Sequence, residues 1–382
     1  MYASAARRTE YSAERALYLA FDLGNREWKL GFTTGLGQAA RLRTIGAGDL
    51  AKLQEELRAA KERFGLPEKT RIFSCYEAGR DGFWLARYLA HAGIENLVVD
   101  SASIEVNRRR RRAKTDRLDV GKLVTMLVRH HEGDRKVWHV VRVPSVEAED
   151  GRQLHRELES LKEERTQHIN RIKGLLAGQG IRMKLGKEFA RDLDKIRLWD
   201  GAPLAPGLRA RLVREFERMR FLGQQVRELE QERLEALRHS TRPELDKVRN
   251  LLRVRGIGIN GAWLYTMELF AWREIRSRRE LGALAGLTPT PHQSGDDSRE
   301  LGISKSGNRY IRTIAIELAW DWLRYQPDSK LACWYQERFA HGSSRVRKIG
   351  IVAVARRLLI DLWRYLETGV IPEGARLKAS PV

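Results

Sequence analysis

Four acidic residues stand at positions where a fold can bring carboxylates together. Asp22 and Glu77 each end an apolar run, and they are followed by Leu-Gly and Ala-Gly. Asp116 and Asp119 lie in Lys-Thr-Asp-Arg-Leu-Asp-Val, where an i, i+3 spacing puts both carboxylates on one face of a helix. Carboxylate oxygens are preferred ligands of hard divalent cations such as Mg²⁺ or Mn²⁺. The four residues therefore form a candidate two-metal set for phosphodiester cleavage.

Each of these carboxylates also has a structural interpretation. Acids at strand ends cap turns and helices, and acids in the first turn of a helix interact favourably with its dipole. For any one residue the structural interpretation is the stronger one. For the ordered set of four within one domain, metal chemistry is favoured.

The segments around the acids predict an α/β domain at residues 16–145. Apolar runs predict strands at 16–24, 29–33, 71–76 and 96–100, and helical periodicity predicts helices at 50–64 and 83–92. Strands that alternate with helices indicate a layered sheet with helices on its faces. Sites in such sheets form beyond the strand ends, which is where Asp22 and Glu77 stand. Residues 1–15 are polar and predict a short disordered extension.

The remainder of the chain predicts two helical regions, so that the whole is α/β plus α. Leucine-rich stripes at spacings of three and four predict two long amphipathic helices in 146–245, as a coiled coil or an antiparallel hairpin. Residues 178–207 are expected to connect them. Residues 246–382 predict a mainly helical domain, in which Leu281–Gly307 is rich in Gly, Pro and Ser and is expected to be a structured loop region.

The net charge indicates the class of partner. Among 382 residues, 71 Lys and Arg face 50 Asp and Glu, a formal net charge of +21. Such an excess favours a polyanion, since neutralised phosphates release their counterions. No apolar run approaches the roughly 20 residues of a membrane span, and the first residues lack the apolar core of a signal peptide. Two cysteines are too few for a disulfide framework, so a reduced cytoplasmic location is expected.

Three groups of residues are candidates for nucleic-acid contacts. Their members are Arg108, Arg109, Arg110, Arg111, Arg112 and Lys114 before the acidic pair, Gly256 and Gly258 in a Gly-Ile-Gly turn, and Lys305, Asn308, Arg309 and Arg312 in a basic stretch. Glycines let backbone amides approach phosphate, and arginine and lysine contact it directly. The alternatives are a disordered solubility loop, an ordinary interhelical turn and a solvated basic face.

The ordered motifs resemble one known family. They are Phe-Asp22-Leu-Gly, Tyr-Glu77-Ala-Gly, Lys114-Thr-Asp116-Arg-Leu-Asp119-Val, Arg255-Gly-Ile-Gly-Ile, Ala285-Gly-Leu-Thr-Pro-Thr-Pro-His-Gln-Ser294-Gly and Gly302-Ile-Ser-Lys305-Ser-Gly307-Asn308-Arg309. In this order they resemble the DEDD transposases of the insertion-sequence "one-ten" family, which includes the "eleven-eleven" subgroup. The resemblance covers nearly the whole chain. One departure is the turn after Glu77, where the family commonly reads Ala-Thr-Gly and this chain reads Ala-Gly-Arg-Asp.

The resemblance implies a bridge-RNA-guided recombinase. It implies a RuvC-like, ribonuclease-H-like domain that holds Mg²⁺ through Asp22, Glu77, Asp116 and Asp119. It also implies that the serine of Gln-Ser-Gly, Ser294, attacks DNA and becomes covalently linked to it. A structured noncoding bridge RNA would pair with donor and target DNA. The coiled-coil segment would make a homo-oligomer, a dimer or tetramer, in which the two domains form a composite site across protomers.

From the residues alone, a Ser-Gly turn is the favoured interpretation of Ser294, and Ser298, Ser304 and Ser306 lie in the same stretch. Two other functions therefore stay open. One is a metal-dependent junction resolvase or nuclease without a covalent serine step. The other is a non-catalytic nucleic-acid-binding protein with a degenerate fold, which the presence of all four acids disfavours.

Overall fold

The computed structural model describes residues 15–80, 82–104, 116–186, 188–294 and 297–379, and for 102, 116–119 and 291–301 it describes the backbone alone. The chain divides into two compact units, residues 1–144 and 145–382.

A six-stranded mixed sheet forms the centre of the first unit. Its strands are β1 (Leu17–Leu23), β2 (Glu27–Thr33), β3 (Arg41–Gly46), β4 (Ile72–Glu77), β5 (Glu95–Val99) and β6 (Val140–Val141), in the order β3-β2-β1-β4-β5-β6. The first three strands pair antiparallel, β4 is parallel to both β1 and β5, and β6 is antiparallel to β5. The mixed α/β architecture predicted for this part of the chain is confirmed, and β3 and β6 are additions to the predicted strands.

Helices cover both faces of this sheet. They are α1 (Leu50–Arg63), α2 (Trp84–His91) and α3 (Asp116–His131). Alternate residues of β1 separate two apolar cores: Leu17, Leu19 and Phe21 pack with α1 and α2, whereas Tyr18 and Ala20 pack with α3. The acidic pair thus lies on the first turn of a helix, as predicted from its spacing.

Two long helices open the second unit after the short helix α4 (Val146–Asp150). These are α5 (Gln153–Ala177) and α7 (Pro206–His239), and α6 (Phe189–Asp192) lies in their connection. The helices run antiparallel. Leu158 and Leu161 near the start of α5 pack against Leu222 and Val226 of α7, whereas Ile172 and Leu176 near the end of α5 pack against Leu212 and Phe216 near the start of α7. Buried Glu215 of α7 accepts hydrogen bonds from His168 and Arg171 of α5, which adds a polar contact of defined register to the apolar seam.

The rest of the second unit is mostly helical. Its helices are α8 (Pro243–Arg253), α9 (Ile259–Tyr265), α10 (Arg278–Leu284), α11 (Arg309–Tyr325), α12 (Lys330–Tyr335) and α13 (Ser344–Thr368), with π-helical turns at Thr266–Phe270 and Gln336–Ala340. One apolar core joins α8, α9, α11 and α13, with buried Trp263, Trp322 and Tyr265 among its largest members. None of the helices in the described ranges has the length and apolar character of a membrane span.

The expectation of a loop region at Leu281–Gly307 is wrong in part. The structure has the end of α10 and then an antiparallel hairpin of β7 (Pro289–Ser294) and β8 (Asp297–Ile303). Two prolines and few apolar residues conceal the strand β7 in the sequence. The signal was the dipeptide Gly-Asp at 295–296, which is typical of two-residue hairpin connections.

Candidate active site

Asp22 and Glu77 lie beside each other at one edge of the sheet. Strands β1 and β4 are parallel neighbours, and their last paired residues are Phe21 and Tyr76, so Asp22 and Glu77 are the next residue of each strand. Adjacent strands are about 4.8 Å apart. Both carboxylates project to the face covered by α3, because side chains alternate and Ala20 and Cys75, two residues earlier, pack in the core beneath that helix.

Helix α3 runs antiparallel to these two strands. At its end, His131 Nδ1 lies 2.9 Å from the Tyr18 hydroxyl oxygen, and the His131 ring packs against the Phe73 ring with centroids 4.0 Å apart, at the amino ends of β1 and β4. Further back along the helix, the carbonyl oxygen of Leu123 accepts from the Cys75 thiol at 3.9 Å. The first turn of α3 is therefore at the carboxyl end of both strands.

Close packing fixes that position of α3. Val120 contacts the sheet at Gly31 so tightly that a Cβ atom on Gly31 would lie 2.6 Å from the valine side chain. Gly31 pairs with Ala20 of β1, two residues before Asp22. Asp116 and Asp119 belong to the helical turn just before Val120. All four predicted acids thus occupy the same end of the same sheet face, although the side chains of Asp116 and Asp119 lie outside the described residues.

A basic residue and a neutral cysteine neighbour the two strand-end carboxylates. Lys29 of β2 is the ladder partner of Asp22. Burial, followed by the nearby charge of Glu77, raises the pKa of the Cys75 thiol far above its usual range, so this cysteine is a neutral core residue. Among the described side chains, no group of three His, Cys, Asp or Glu residues could hold a metal ion. The side chains of Asp116 and Asp119 are not among those described. The four candidate ligands offer only carboxylate oxygens, which are the donors that Mg²⁺ and Mn²⁺ prefer.

Ser294 ends strand β7 and pairs with Asp297, the first residue of β8. The root of the hairpin is anchored, since the amide of Ser304 donates to Thr288 at 2.9 Å and the amide of Lys305 donates to Gly286 at 3.2 Å. Ser304 is itself at that root, where its hydroxyl oxygen accepts from Thr288 Oγ1 at 3.2 Å.

The position of each serine along the hairpin narrows the candidates. Ser304 is engaged at the root, Ser306 follows the hairpin, and only Ser294 and Ser298 lie in its outer half. The side chain of Ser294 is outside the described residues.

The Gly-Ile-Gly turn connects α8 to α9. Gly256 has φ +89°, and a Cβ atom there would lie 3.2 Å from Cβ of Tyr325, so both conformation and packing require glycine. The Gln326 amide donates to the carbonyl oxygens of Arg255 and Arg376, each at 2.8 Å, which ties the turn to the last residues of the described chain. Gly258 is the residue before α9. A packing role accounts for Gly256 without a phosphate.

The basic stretch divides into surface and structural residues. Lys305 and Arg309 are exposed. Arg312 donates to the carbonyl oxygen of Lys305 at 3.0 Å and holds the loop before α11. The Asn308 side chain caps α11 by accepting from the amides of Tyr310 and Ile311. The six residues Arg108, Arg109, Arg110, Arg111, Arg112 and Lys114 lie outside the described residues.

A buried carboxylate that sequence reasoning missed lies beneath Asn308. Glu268 is fully buried, and it accepts from Arg156 at 2.7 and 3.0 Å and from the Asn308 amide at 2.7 Å, with His155 Nε2 2.9 Å from Oε1. Burial alone raises its pKa, but the hydrogen bonds from His155 and Arg156 outweigh burial and lower the pKa to about 2. The available signal was a single acid within the apolar run Leu264–Phe270.

Replacing this carboxylate should destabilise the second unit. We expect Glu268→Gln to lower its free energy of unfolding by about 3 kcal/mol, because the change leaves a buried donor cluster without its anion. Because the folded-state pKa is depressed, the stabilisation is present above pH 4.5 and is lost as pH falls toward 2. Denaturant unfolding between pH 2 and 7 measures both effects. Glu163→Gln, an exposed acid on α5, is the control, and an equal loss in both variants would contradict the prediction.

Comparison with known proteins adds an independent observation. The sequence profile of the "Transposase IS116/IS110/IS902 family" matches residues 248–333, which contain the Gly-Ile-Gly turn, the hairpin and the basic stretch. The chain is 38% identical over 378 residues to "Putative transposase y4rJ" of Sinorhizobium fredii, and the match covers 95% of each protein.

Two further relatives match shorter parts. "Transposase for insertion sequence element IS1328" of Yersinia enterocolitica is 28% identical over 221 residues, which are 57% of this chain and 63% of that protein. "Transposase for insertion sequence element IS1111A" of Coxiella burnetii is 29% identical over 182 residues, which are 47% of this chain and 49% of that protein. Similarity to y4rJ along nearly the full length, together with the family match, shows that the chain belongs to the IS116/IS110/IS902 family of insertion-sequence transposases.

Proposed function

We propose that this transposase cuts and rejoins DNA with a divalent-metal site formed by Asp22, Glu77, Asp116 and Asp119. The observation that carries the proposal is the shared location of the four acids at the carboxyl end of β1 and β4, on the face covered by α3. A mixed sheet with helices on both faces supports a RuvC-like, ribonuclease-H-like domain. The proposal places the enzyme in the cytoplasm.

The donor set suits Mg²⁺ or Mn²⁺, because every member offers carboxylate oxygen and none offers nitrogen or sulfur. When bound, such ions stabilise negative charge on the attacking and leaving oxygens of a phosphodiester. The role of the chain is to hold the acids at one sheet edge, on two strands and a helix that pack on the same core. Acids in a protein of net charge +21 would serve the metal while the basic surface holds DNA.

Ser294 is proposed as the nucleophile. Its Oγ would form a bond to phosphorus while the bond from phosphorus to the departing deoxyribose oxygen breaks; the serine proton is given up and the departing oxygen takes a proton. Rejoining reverses this step with another DNA end. The location of Ser294 at the outer end of a rooted hairpin supports the role, because serines at such tips are accessible to a large substrate.

The remaining parts of the proposal rest on the resemblance of the ordered motifs. A structured bridge RNA guides the enzyme to donor and target DNA, and α5 and α7 associate with those of other protomers in a dimer or tetramer. The serine of one protomer then acts with the acids of another. Noncoding sequence beside the gene should encode a folded RNA with loops complementary to the element's ends, and its absence from independent copies would contradict RNA guidance.

Metal removal tests the proposed chemistry. With the element's DNA and its RNA, we expect EDTA to abolish both cleavage and the protein–DNA adduct, and Mg²⁺ or Mn²⁺ in excess to restore them. DNA binding in EDTA, measured by fluorescence anisotropy, is the control and should persist, since the basic surface does not depend on metal. Cleavage that continues in EDTA would refute the metal site. Metal-dependent cleavage without any adduct would instead favour a nuclease that works without the serine.

A further inference from the structure

A large cleft lies in the second unit between α10, the root of the β7–β8 hairpin and α13. Its volume is about 1300 Å³, and the described residues that line it fall within 278–360. Apart from Lys305, none of them has a part in the function described above. Pockets for small ligands usually enclose about 300–1,000 Å³, so this cleft has room for a larger occupant.

The lining of the cleft is basic. Among the eighteen described residues that line it, seven are Lys or Arg and none is acidic. Arg345, Lys348 and Arg356 follow one another at helical spacing along one face of α13, Arg357 is the next residue after Arg356, and the others come from the start of α10 and from the hairpin root. Arg345 and Lys348 are exposed. Such a row of cations complements a chain of phosphates.

The surface between these cations is apolar and partly aromatic. Ile349 of α13 is 53% exposed, and Trp334 and Phe339 line the same cleft. The Arg357 guanidinium lies 3.7 Å from the centroid of the Trp334 ring. An arginine plane stacked on an aromatic ring extends the flat surface on which unpaired bases stack.

The chemistry of the cleft selects among occupants. Duplex DNA presents phosphates but keeps its bases paired, so it would leave the apolar surface uncovered. A second copy of this chain carries the same charge of +21, which opposes its docking on a basic row. RNA would present a 2′-hydroxyl at each nucleotide, which calls for hydrogen-bonding side chains. Among the described lining residues Ser344 alone has an uncharged hydroxyl or amide, so the cleft favours DNA over RNA. Unpaired DNA meets both the cations and the apolar surface.

We propose that this cleft binds an unpaired segment of the DNA on which the transposase acts, with phosphates along α13 and a base against the Trp334–Arg357 pair. The hairpin that carries Ser294 forms one wall, so a strand held here would lie against the same element as the serine. The inference rests on the family's action on DNA and does not depend on the nucleophile being Ser294.

Affinity for single-stranded DNA tests the proposal in the full-length protein without metal. The cleft variant is Arg345→Glu with Lys348→Glu, and the control of equal charge change is Arg347→Glu with Arg364→Glu, two exposed residues of α13 outside the cleft. By anisotropy with a labelled oligonucleotide, we expect the cleft variant to bind at least tenfold more weakly and the control less than threefold. The slope of log affinity against log salt should fall by roughly 1.4, since each lost phosphate contact contributes about 0.7.

Base stacking has its own readout. Quenching of 2-aminopurine in the oligonucleotide should weaken in Arg357→Ala and persist in Arg338→Ala, which also removes a guanidinium near Trp334 but one that does not line the cleft. Equal weakening by the cleft and control pairs would overturn the proposal, and so would a loss confined to duplex DNA or to single-stranded RNA. Altered sedimentation of the cleft variant with unchanged DNA affinity would reassign the cleft to a protein contact.

Discussion

Asp22→Asn should reduce DNA cleavage about a thousandfold or more while DNA binding persists. The substitution keeps the size of the side chain and removes the negative charge at the end of β1. Loss of a metal ligand forfeits several kcal/mol of transition-state stabilisation, and each 1.4 kcal/mol is a factor of ten in rate. Binding should hold or tighten, because one anion beside the phosphates is gone. Glu77→Gln should behave in the same way.

The matched control is Asp134→Asn. Asp134 is partly exposed and accepts from Arg129 at 2.7 Å beyond the other end of α3, so its replacement tests a carboxylate of the same unit away from the strand ends. Surface pairs of this kind contribute little to stability. We expect wild-type cleavage from Asp134→Asn, and thermal unfolding of all three variants shows that each is folded. Near-normal cleavage by Asp22→Asn would remove the basis for the metal site.

Ser294→Ala should eliminate the covalent protein–DNA adduct and strand rejoining with it. After incubation with the element's DNA, RNA and Mg²⁺, denaturing electrophoresis separates a linked protein from a free one. Removal of the only atom that bonds to phosphorus leaves no route to the adduct, so the expected change is complete loss rather than a fraction. DNA affinity should be unchanged, because a methyl replaces a hydroxymethyl group at the hairpin tip.

The neighbouring serines make the test specific. Ser298→Ala changes the opposite strand of the same hairpin, and Ser304→Ala changes its root, where the hydroxyl accepts from Thr288. Both variants should still form the adduct, and the root variant should lose some stability with its hydrogen bond. If Ser294→Ala forms the adduct as well as wild type, the nucleophile is another residue. If adduct formation fails only in Ser298→Ala, the assignment moves across the hairpin.

The first unit shows what a sequence can and cannot predict. Apolar runs ending in acids predicted the strands of Asp22 and Glu77 to within two residues, and the start of α3 coincides with the predicted acidic pair. That β1 and β4 are neighbours in matching register is a long-range property, which no local pattern encodes. Strand β3 was not predicted, because it is an edge strand with two arginines and only one buried residue, Ile45.

The second unit was harder to predict for the same physical reason. The apolar residues of a long amphipathic helix recur every three or four positions, and this spacing predicted both α5 and α7. The partners of Glu268 come from residues 155, 156 and 308, more than 100 positions away on one side and 40 on the other. Local sequence therefore does not show that the charge of Glu268 is compensated by these partners. The basic face of α13 likewise becomes a cleft only once α10 and the hairpin root pack beside it.

The anchoring of the hairpin at its root determines how accurately Ser294, near its tip, can be positioned. The backbone packs closely at two glycines of the root. A Cβ atom on Gly286 would lie 2.4 Å from the carbonyl oxygen of Ser306, and one on Gly307 would lie 2.5 Å from the carbonyl oxygen of Leu284. Ser294 stands six residues beyond Thr288, a lever arm of about 20 Å at 3.4 Å per residue. A misplacement of about 1 Å at a reacting atom can cost on the order of a hundredfold in rate, and at this radius it corresponds to a tilt of roughly 3°. The rigidity of the hairpin root, far from Ser294 in the chain, thus limits how accurately the Ser294 hydroxyl can be positioned.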